Sequence, residues 1–210
     1  MISLETYLQN PCATLSIPYW KAKNITIPDT MKIVHDSEFI DDLLCEYTDE
    51  SYFRLCHNMQ ALSEYKLPGY DIETASAARN LDTIVSIINN SYTDLQVTAK
   101  QIEGYTKTSV YCPEFWILVK EQSTGIYVGC GIADFDAEAE ELILEWIQVL
   151  PQYRGENIGT AMVSELLWRG RKFAKFATVS GKVNNVTNPE ALYRKCGFAG
   201  NDVWHILTKR

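Results

Sequence analysis

The sequence predicts a mixed α/β fold, a mainly antiparallel twisted sheet flanked by helices, with a small N-terminal extension. Three observations predict it. Leu142 to Leu150 is almost continuously apolar, is closed by Pro151, and is followed by a turn opening straight into an amphipathic segment. Phe115 to Lys120 and Tyr127 to Phe135 are apolar runs joined by the polar turn Glu121 to Gly125, the pattern of a hairpin. The amphipathic segment that Gly170 ends is followed by a further strand, so this helix crosses between neighbouring strands, as a parallel pair requires, and a helix and a last strand come after it.

Residues 1–68 are short, aromatic and interrupted by proline. Ser3 to Gln9 predicts a short helix stopped by Asn10-Pro11, Met31 to His35 a strand, Asp41 to Leu44 a helical turn, and Ser51 to Leu55 a strand or a helix. This segment reads as an extension or small subdomain. Leu67-Pro68-Gly69 marks the boundary to a domain of residues 69–210. There Tyr70 to Ala75 alternates as a strand does. Leu81, Ile84, Val85 and Ile88 form a helical stripe with Asn80 as a candidate cap, and Val97 to Thr106 predicts a second helix. After the hairpin and the Leu142 strand, Ile158, Ala161, Met162 and Leu166 share one helical face, which Gly170 is placed to end. Phe176 to Ser180 predicts a strand, Pro189 to Gly197 a helix, and Val203 to Thr208 the last strand.

Composition excludes several classes. The 210 residues are 46% apolar and 22% charged, as in an ordinary soluble domain. Nineteen basic against 27 acidic side chains give a net charge of −8, which argues against general nucleic-acid binding. No apolar run is long enough to span a membrane, and MISLETYLQNPCATL has no basic head before an apolar stretch. The expectation is a cytoplasmic protein with no signal peptide. Its six scattered cysteines then read as reduced thiols and its three dispersed histidines give no metal site. The acidic residues Asp134, Asp136, Glu138, Glu140 and Glu141 read as a solvated hairpin tip, and the alternative is a field that draws in a cationic amine. Trp116, Trp146, Trp168 and Trp204 read as core residues, and Cys130 and Cys196 as structural thiols.

The turn Arg154-Gly155-Glu156-Asn157-Ile158-Gly159-Thr160 carries the chemistry. A glycine-bearing turn that opens into a helix leaves backbone N–H groups unpaired at the positive end of the helix dipole. Those donors favour a phosphate, here the pyrophosphate of a nucleotide-containing cofactor.

Val149-x-Pro151-x-x-Arg154-Gly155-x-x-Ile158-Gly159 after a strand, with Ala191-Leu192-Tyr193-Arg194-Lys195-Cys196-Gly197-Phe198 downstream, resembles the GNAT superfamily of acyl-CoA-dependent N-acyltransferases. The resemblance covers roughly residues 69–210. Where the family's turn usually has glycine this chain has Asn157, and asparagine tolerates left-handed backbone angles. The loop before Tyr193 departs in spacing, so that Asn184, Asn185 and Asn188 compete for the cofactor contact that the family gives to one asparagine.

The resemblance implies acetyl-CoA as co-substrate, with no metal, and a primary amine of a small molecule or peptide as acceptor. It puts the pyrophosphate on the amides of Arg154 to Thr160 and the pantetheine arm along the backbone of Ile147, Gln148 and Val149, with Asn185 and Asn188 as further contacts. The Val149 amide would stabilise charge on the acyl oxygen. Tyr193 would protonate the departing thiolate; otherwise it packs its helix on the sheet. Glu145 is the candidate base. Strand alternation puts it on one face with Ile143, Ile147 and Val149, and burial in a strand would raise its pKa. The competing reading of Glu145 is a structural ion pair. The alternative for the whole chain is a non-catalytic acyl-CoA-binding or regulatory module.

Overall fold

The computed structural model describes residues 2–92 and 95–210. In chain order the elements are α1 Leu4–Gln9, α2 Pro11–Thr14, α3 Tyr19–Ala22, β1 Met31–His35, β2 Tyr47–His57, β3 Tyr70–Thr74, α4 Ala77–Ser91, α5 Ala99–Tyr105, β4 Trp116–Glu121, β5 Tyr127–Asp136, β6 Glu141–Val149, α6 Ile158–Gly170, β7 Phe176–Lys182, α7 Pro189–Lys195 and β8 Ala199–Lys209. This is a mixed α/β structure of mainly antiparallel strands with flanking helices. Its contacts divide into two units, one of residues 1–58 with 178–210, the other of residues 59–177.

In the first unit the strand order is β1-β8-β2, followed by the part of β7 that belongs to it. β8 is antiparallel to both its neighbours, with Ile33 opposite Ile206 on one side and Tyr52 opposite Trp204 on the other. The N-terminal segment therefore shares its strands with the C-terminal one. Its helices are capped as their sequences dictate: Ser3 accepts the Thr6 N–H at 3.1 Å to start α1, and Asn10 accepts that of Ala13 at 3.3 Å to start α2, with Pro11 in the first helical turn. Arg54 is buried and donates to the Tyr7 hydroxyl at 2.9 Å and to Ser180 at 3.2 Å, which ties α1 and β7 to β2. Burying a guanidinium is costly unless it is hydrogen-bonded in this way.

The second unit carries the strand order β6-β5-β4-β3, antiparallel throughout. One face of it buries Trp116, Leu118, Cys130 and Ile132 against Ile84, Ile87 and Ile88 of α4 and Ile102 of α5. The other face receives α6, whose Met162 and Leu166 reach over Gly129 and Gly131. Glycine is required there, because a Cβ on Gly131 would stand 2.8 Å from Ile117 Cγ1.

Two expectations are corrected. Helix α4 begins at Ala77 with Ser76 at its N-cap, and Asn80 accepts the Ser76 N–H at 2.9 Å from inside the helix rather than capping it. Asp134, Asp136 and Glu141 are buried, not solvated, because β5 and β6 run on until only residues 137–140 are left to turn. Asp136 closes that turn by accepting the N–H of Glu138 at 3.0 Å and of Ala139 at 3.4 Å.

Candidate active site

The second unit brings together most of the candidate residues. β6 is buried from Glu141 to Leu144 and half-exposed from Glu145 to Val149. The change occurs at an irregularity in its pairing. Ile132 lies opposite Trp146, but Ala133 lies opposite Leu144, so Glu145 is an extra residue with no opposite number on β5. This is a β-bulge. It overturns the expected shared face: Ile143 is opposite Asp134 while Ile147 and Val149 are opposite Gly131 and Gly129, on the other side of the sheet. Glu145 is also half-exposed rather than buried.

Past the bulge the backbone direction is set by one hydrogen bond. Leu150 donates to the Val128 carbonyl at 2.9 Å. In an antiparallel ladder such bonded positions alternate with positions whose N–H and C=O point the other way. Gln148, opposite Cys130, therefore turns its backbone to β5, whereas Ile147 and Val149 direct theirs away from β5. Of the three residues expected to offer their backbone to a ligand, Gln148 thus turns its own to β5. Gln148 uses its side chain instead, donating Nε2–H to the Tyr92 hydroxyl at 2.9 Å, and the Tyr92 ring stands edge-on to Trp146 with centroids 6.3 Å apart.

The turn into α6 has left-handed backbone at two places, Gly155 with φ +91° and Asn157 with φ 62° and ψ 14°. Asn157 thus takes up the angles a glycine would supply. The first backbone bond of the helix runs from Ala161 to the Asn157 carbonyl at 3.0 Å, so the amides of Ile158, Gly159 and Thr160 point out of the helix end. A side chain on Gly155 would meet no heavy atom within 4 Å, so the turn is open on that side. These amides fit an anionic phosphate. The Arg154 amide is already engaged, donating to the Pro151 carbonyl at 3.3 Å. The Arg154 side chain turns back on the protein, with Nη2 at 2.8 Å from the Ser91 carbonyl and Nε at 3.3 Å from that of Val149. Glu156 accepts the Tyr70 hydroxyl proton, and that hydrogen bond, with burial adding to it, pushes the Tyr70 phenol up to about 12.

Tyr193, Asn185 and Asn188 belong to the first unit. Tyr193 is buried in α7, with its ring 6.3 Å from that of Phe53 and 5.9 Å from that of Phe198. Asn188 is left-handed at φ 46° and caps α7 by accepting the Ala191 N–H at 3.4 Å. Asn185 accepts the N–H and hydroxyl of Thr187 at 2.9 and 2.8 Å. The carbonyl oxygens of both asparagines therefore build the loop, leaving their amide N–H₂ groups for any ligand. Burial pushes the Cys130 thiol up to about 12, so it stays protonated and is no nucleophile near neutral pH. Among the described residues no cluster of His, Cys, Asp and Glu can hold a metal ion, and no helix is long and apolar enough to cross a membrane.

Sequence reasoning missed Ser91, Tyr92 and Tyr70, each of which contacts β6 or the turn. Nothing local to Ser91 singles it out in the sequence, because its partner Val149 lies in a distant strand.

Comparison with known proteins agrees with this architecture. Residues 113–199 match the acetyltransferase (GNAT) domain family. Among solved structures, a GCN5-related N-acetyltransferase from Sphaerobacter thermophilus is 15% identical, with a TM-score of 0.69 over 90% of this chain and 63% of that one. A GNAT-family acetyltransferase from Colwellia psychrerythraea is 17% identical, with a TM-score of 0.61 over 84% of this chain and 64% of that one. Ard1 from Thermoplasma volcanium is 16% identical, with a TM-score of 0.55 over 67% of this chain and 97% of that one. The chain thus spans less than two thirds of the first two structures. No curated protein matches it. The resemblance to GNAT acetyltransferases holds in sequence over residues 113–199 and in fold.

Proposed function

We propose that this protein is an N-acetyltransferase that transfers the acetyl group of acetyl-CoA directly to a primary amine of a small molecule or peptide. The observation that carries the reading is the junction of β6 with α6. There the backbone of Ile147 and Val149, turned away from β5, runs straight into a left-handed turn whose helix-end amides point outward. The former fits an extended amide-bearing arm and the latter a pyrophosphate, in the order in which CoA carries them.

Acetyl-CoA, when bound, supplies a thioester. The N–H of Val149 donates to the acyl oxygen and stabilises the charge that gathers on it as the amine attacks. Glu145 takes the proton that the acceptor ammonium must lose, either directly or through a water, and its half-exposure at the bulge gives such a water access. Tyr193 gives its phenolic proton to the departing sulfur. Gly155 to Thr160 hold the pyrophosphate, and the amide groups of Asn185 and Asn188 offer further donors. The work of the protein is to position, polarise and shuttle two protons, with no covalent enzyme intermediate.

The test is to incubate the full chain with acetyl-CoA and a panel comprising n-butylamine, spermidine and a short peptide with a free N-terminus, and to follow thiol release. Acetylated product with stoichiometric thiol supports the reading. Stabilisation by CoA with no turnover would point to a non-catalytic acyl-CoA-binding module, and absence of any CoA binding would sink both.

A further inference from the structure

The Arg154 side chain looks at first like the natural partner of a phosphate, since it opens the phosphate turn and is cationic. Its geometry says otherwise. The guanidinium is spent on two main-chain carbonyls, Ser91 at the C-terminus of α4 through Nη2 at 2.8 Å and Val149 at the end of β6 through Nε at 3.3 Å. The Ser91 hydroxyl donates to the Ile87 carbonyl at 2.7 Å and lies 3.4 Å from the same Val149 oxygen. On the other side of that peptide, the Leu150 N–H donates to Val128 at 2.9 Å. The peptide group joining Val149 to Leu150 is therefore tied at both its carbonyl and its N–H, from a helix, a turn and a strand. Directly before it lies the Val149 N–H.

From this we infer that Arg154 is a positioning residue: it clamps the end of α4 to the end of β6 and so fixes the direction of the Val149 N–H toward the acyl oxygen. The inference rests on the acyl-transfer reading for its consequence in turnover, but not for the clamp itself. A helix C-terminus carries unpaired carbonyls and partial negative charge, which a guanidinium satisfies well. A planar cation with five N–H donors in a fixed fork can serve two carbonyls on different elements at once, whereas a lysine ammonium can form the bonds but does not fix their angle. A donor aimed at developing charge acts by being held in place beforehand, so small displacements of it are expensive.

The test separates clamp from phosphate ligand. Hydrogen exchange over residues 146–150 is measured in the wild type, Arg154→Ala and Arg154→Lys, without any ligand. CoA affinity is measured by calorimetry. Turnover is compared between acetyl-CoA and S-acetylpantetheine, which lacks the pyrophosphate, with the amine panel above. The clamp predicts exchange at Leu150 faster by about tenfold or more in Arg154→Ala, partial recovery in Arg154→Lys, and CoA affinity within about threefold of wild type. It also predicts a kcat lowered by about 100-fold, by the same factor for both acyl donors. If instead exchange is unchanged, CoA affinity falls and S-acetylpantetheine turnover is spared, Arg154 is a phosphate ligand and the clamp is wrong. Should Arg154→Ala lose its cooperative unfolding transition, Arg154→Gln, which keeps one planar amide donor, replaces it in every arm. A wild type that acetylates none of the amines would remove the function proposed above while the exchange measurement still decides the clamp.

Discussion

Ile143 and Ile147 stand in the same strand at an even spacing and yet face opposite sides of the sheet, one across from Asp134 and the other across from Gly131. Glu145 between them is the extra residue that makes this possible. The bulge marks where β6 changes from buried to half-exposed. Bulges re-aim side chains and interrupt pairing, and this one puts a carboxylate at that change of exposure.

Glu145→Gln keeps the size of the side chain and removes its capacity to take a proton. We expect kcat/KM for the amine to fall by about 100-fold or more at neutral pH, with CoA affinity unchanged. Steady-state kinetics together with calorimetry check this, and an unaltered rate would return Glu145 to a structural role.

Tyr193→Phe leaves the contacts of the ring with Phe53 and Phe198 in place. If the hydroxyl protonates the leaving sulfur, kcat drops by about 100-fold while acetyl-CoA binding changes little. Equal kcat in the two proteins would assign the tyrosine to packing alone.

At Asn157 the backbone, with φ 62°, decides the outcome. Asn157→Gly should preserve thermal stability and CoA affinity. Asn157→Val should cost about 1–2 kcal/mol, because a branched side chain in left-handed backbone meets its own carbonyl. Denaturant midpoints and CoA calorimetry on the pair give the comparison.

Gly131→Ala should destabilise the protein by about 1–3 kcal/mol, since the new methyl would press on Ile117 and on Leu166 of α6. Gly104 in α5 has open space where a methyl would go, so Gly104→Ala should stabilise by about 0.4–1 kcal/mol. Opposite signs in urea denaturation are the expected result.

Burial lowers the proton affinity of His57 below its usual 6.5. The unfolded chain then binds more protons than the folded one as the pH falls through 6.5, so the stability that His57 allows is complete above that pH and is lost below it. Urea midpoints at pH 7.5 and 5.5 should separate more for the wild type than for His57→Gln.

The sequence made the second unit largely legible. The apolar runs at Trp116, Tyr127 and Leu142 became β4, β5 and β6, and the stripe from Ile158 to Leu166 became α6. Of the first unit, the helix after Ser3, the strand Met31–His35, the helix opened by Pro189 and the last strand could be read, because each has its own local signal. The bulge could not be read, because period-two alternation on β6 gives no sign of a missing partner on β5. Burial of Asp136 and Glu141 was hidden too, since it depends on how short the turn between their strands becomes. At the site, Arg154 was read through its backbone amide, and the direction of its guanidinium, to Ser91 and Val149, was not legible because it depends on the end of a helix distant in sequence.

The pairing of β2 along β8, from Tyr47 opposite Lys209 to Cys56 opposite Ala199, also bears on how the chain is made. On a ribosome moving at about 5–20 residues per second, β2 emerges on the order of ten seconds before the strand it pairs with. During that interval β1 and β2 expose backbone edges that nothing in the nascent first unit can cover, and such edges recruit other chains. The first unit therefore closes late in translation, when residues 199–209 arrive between β1 and β2.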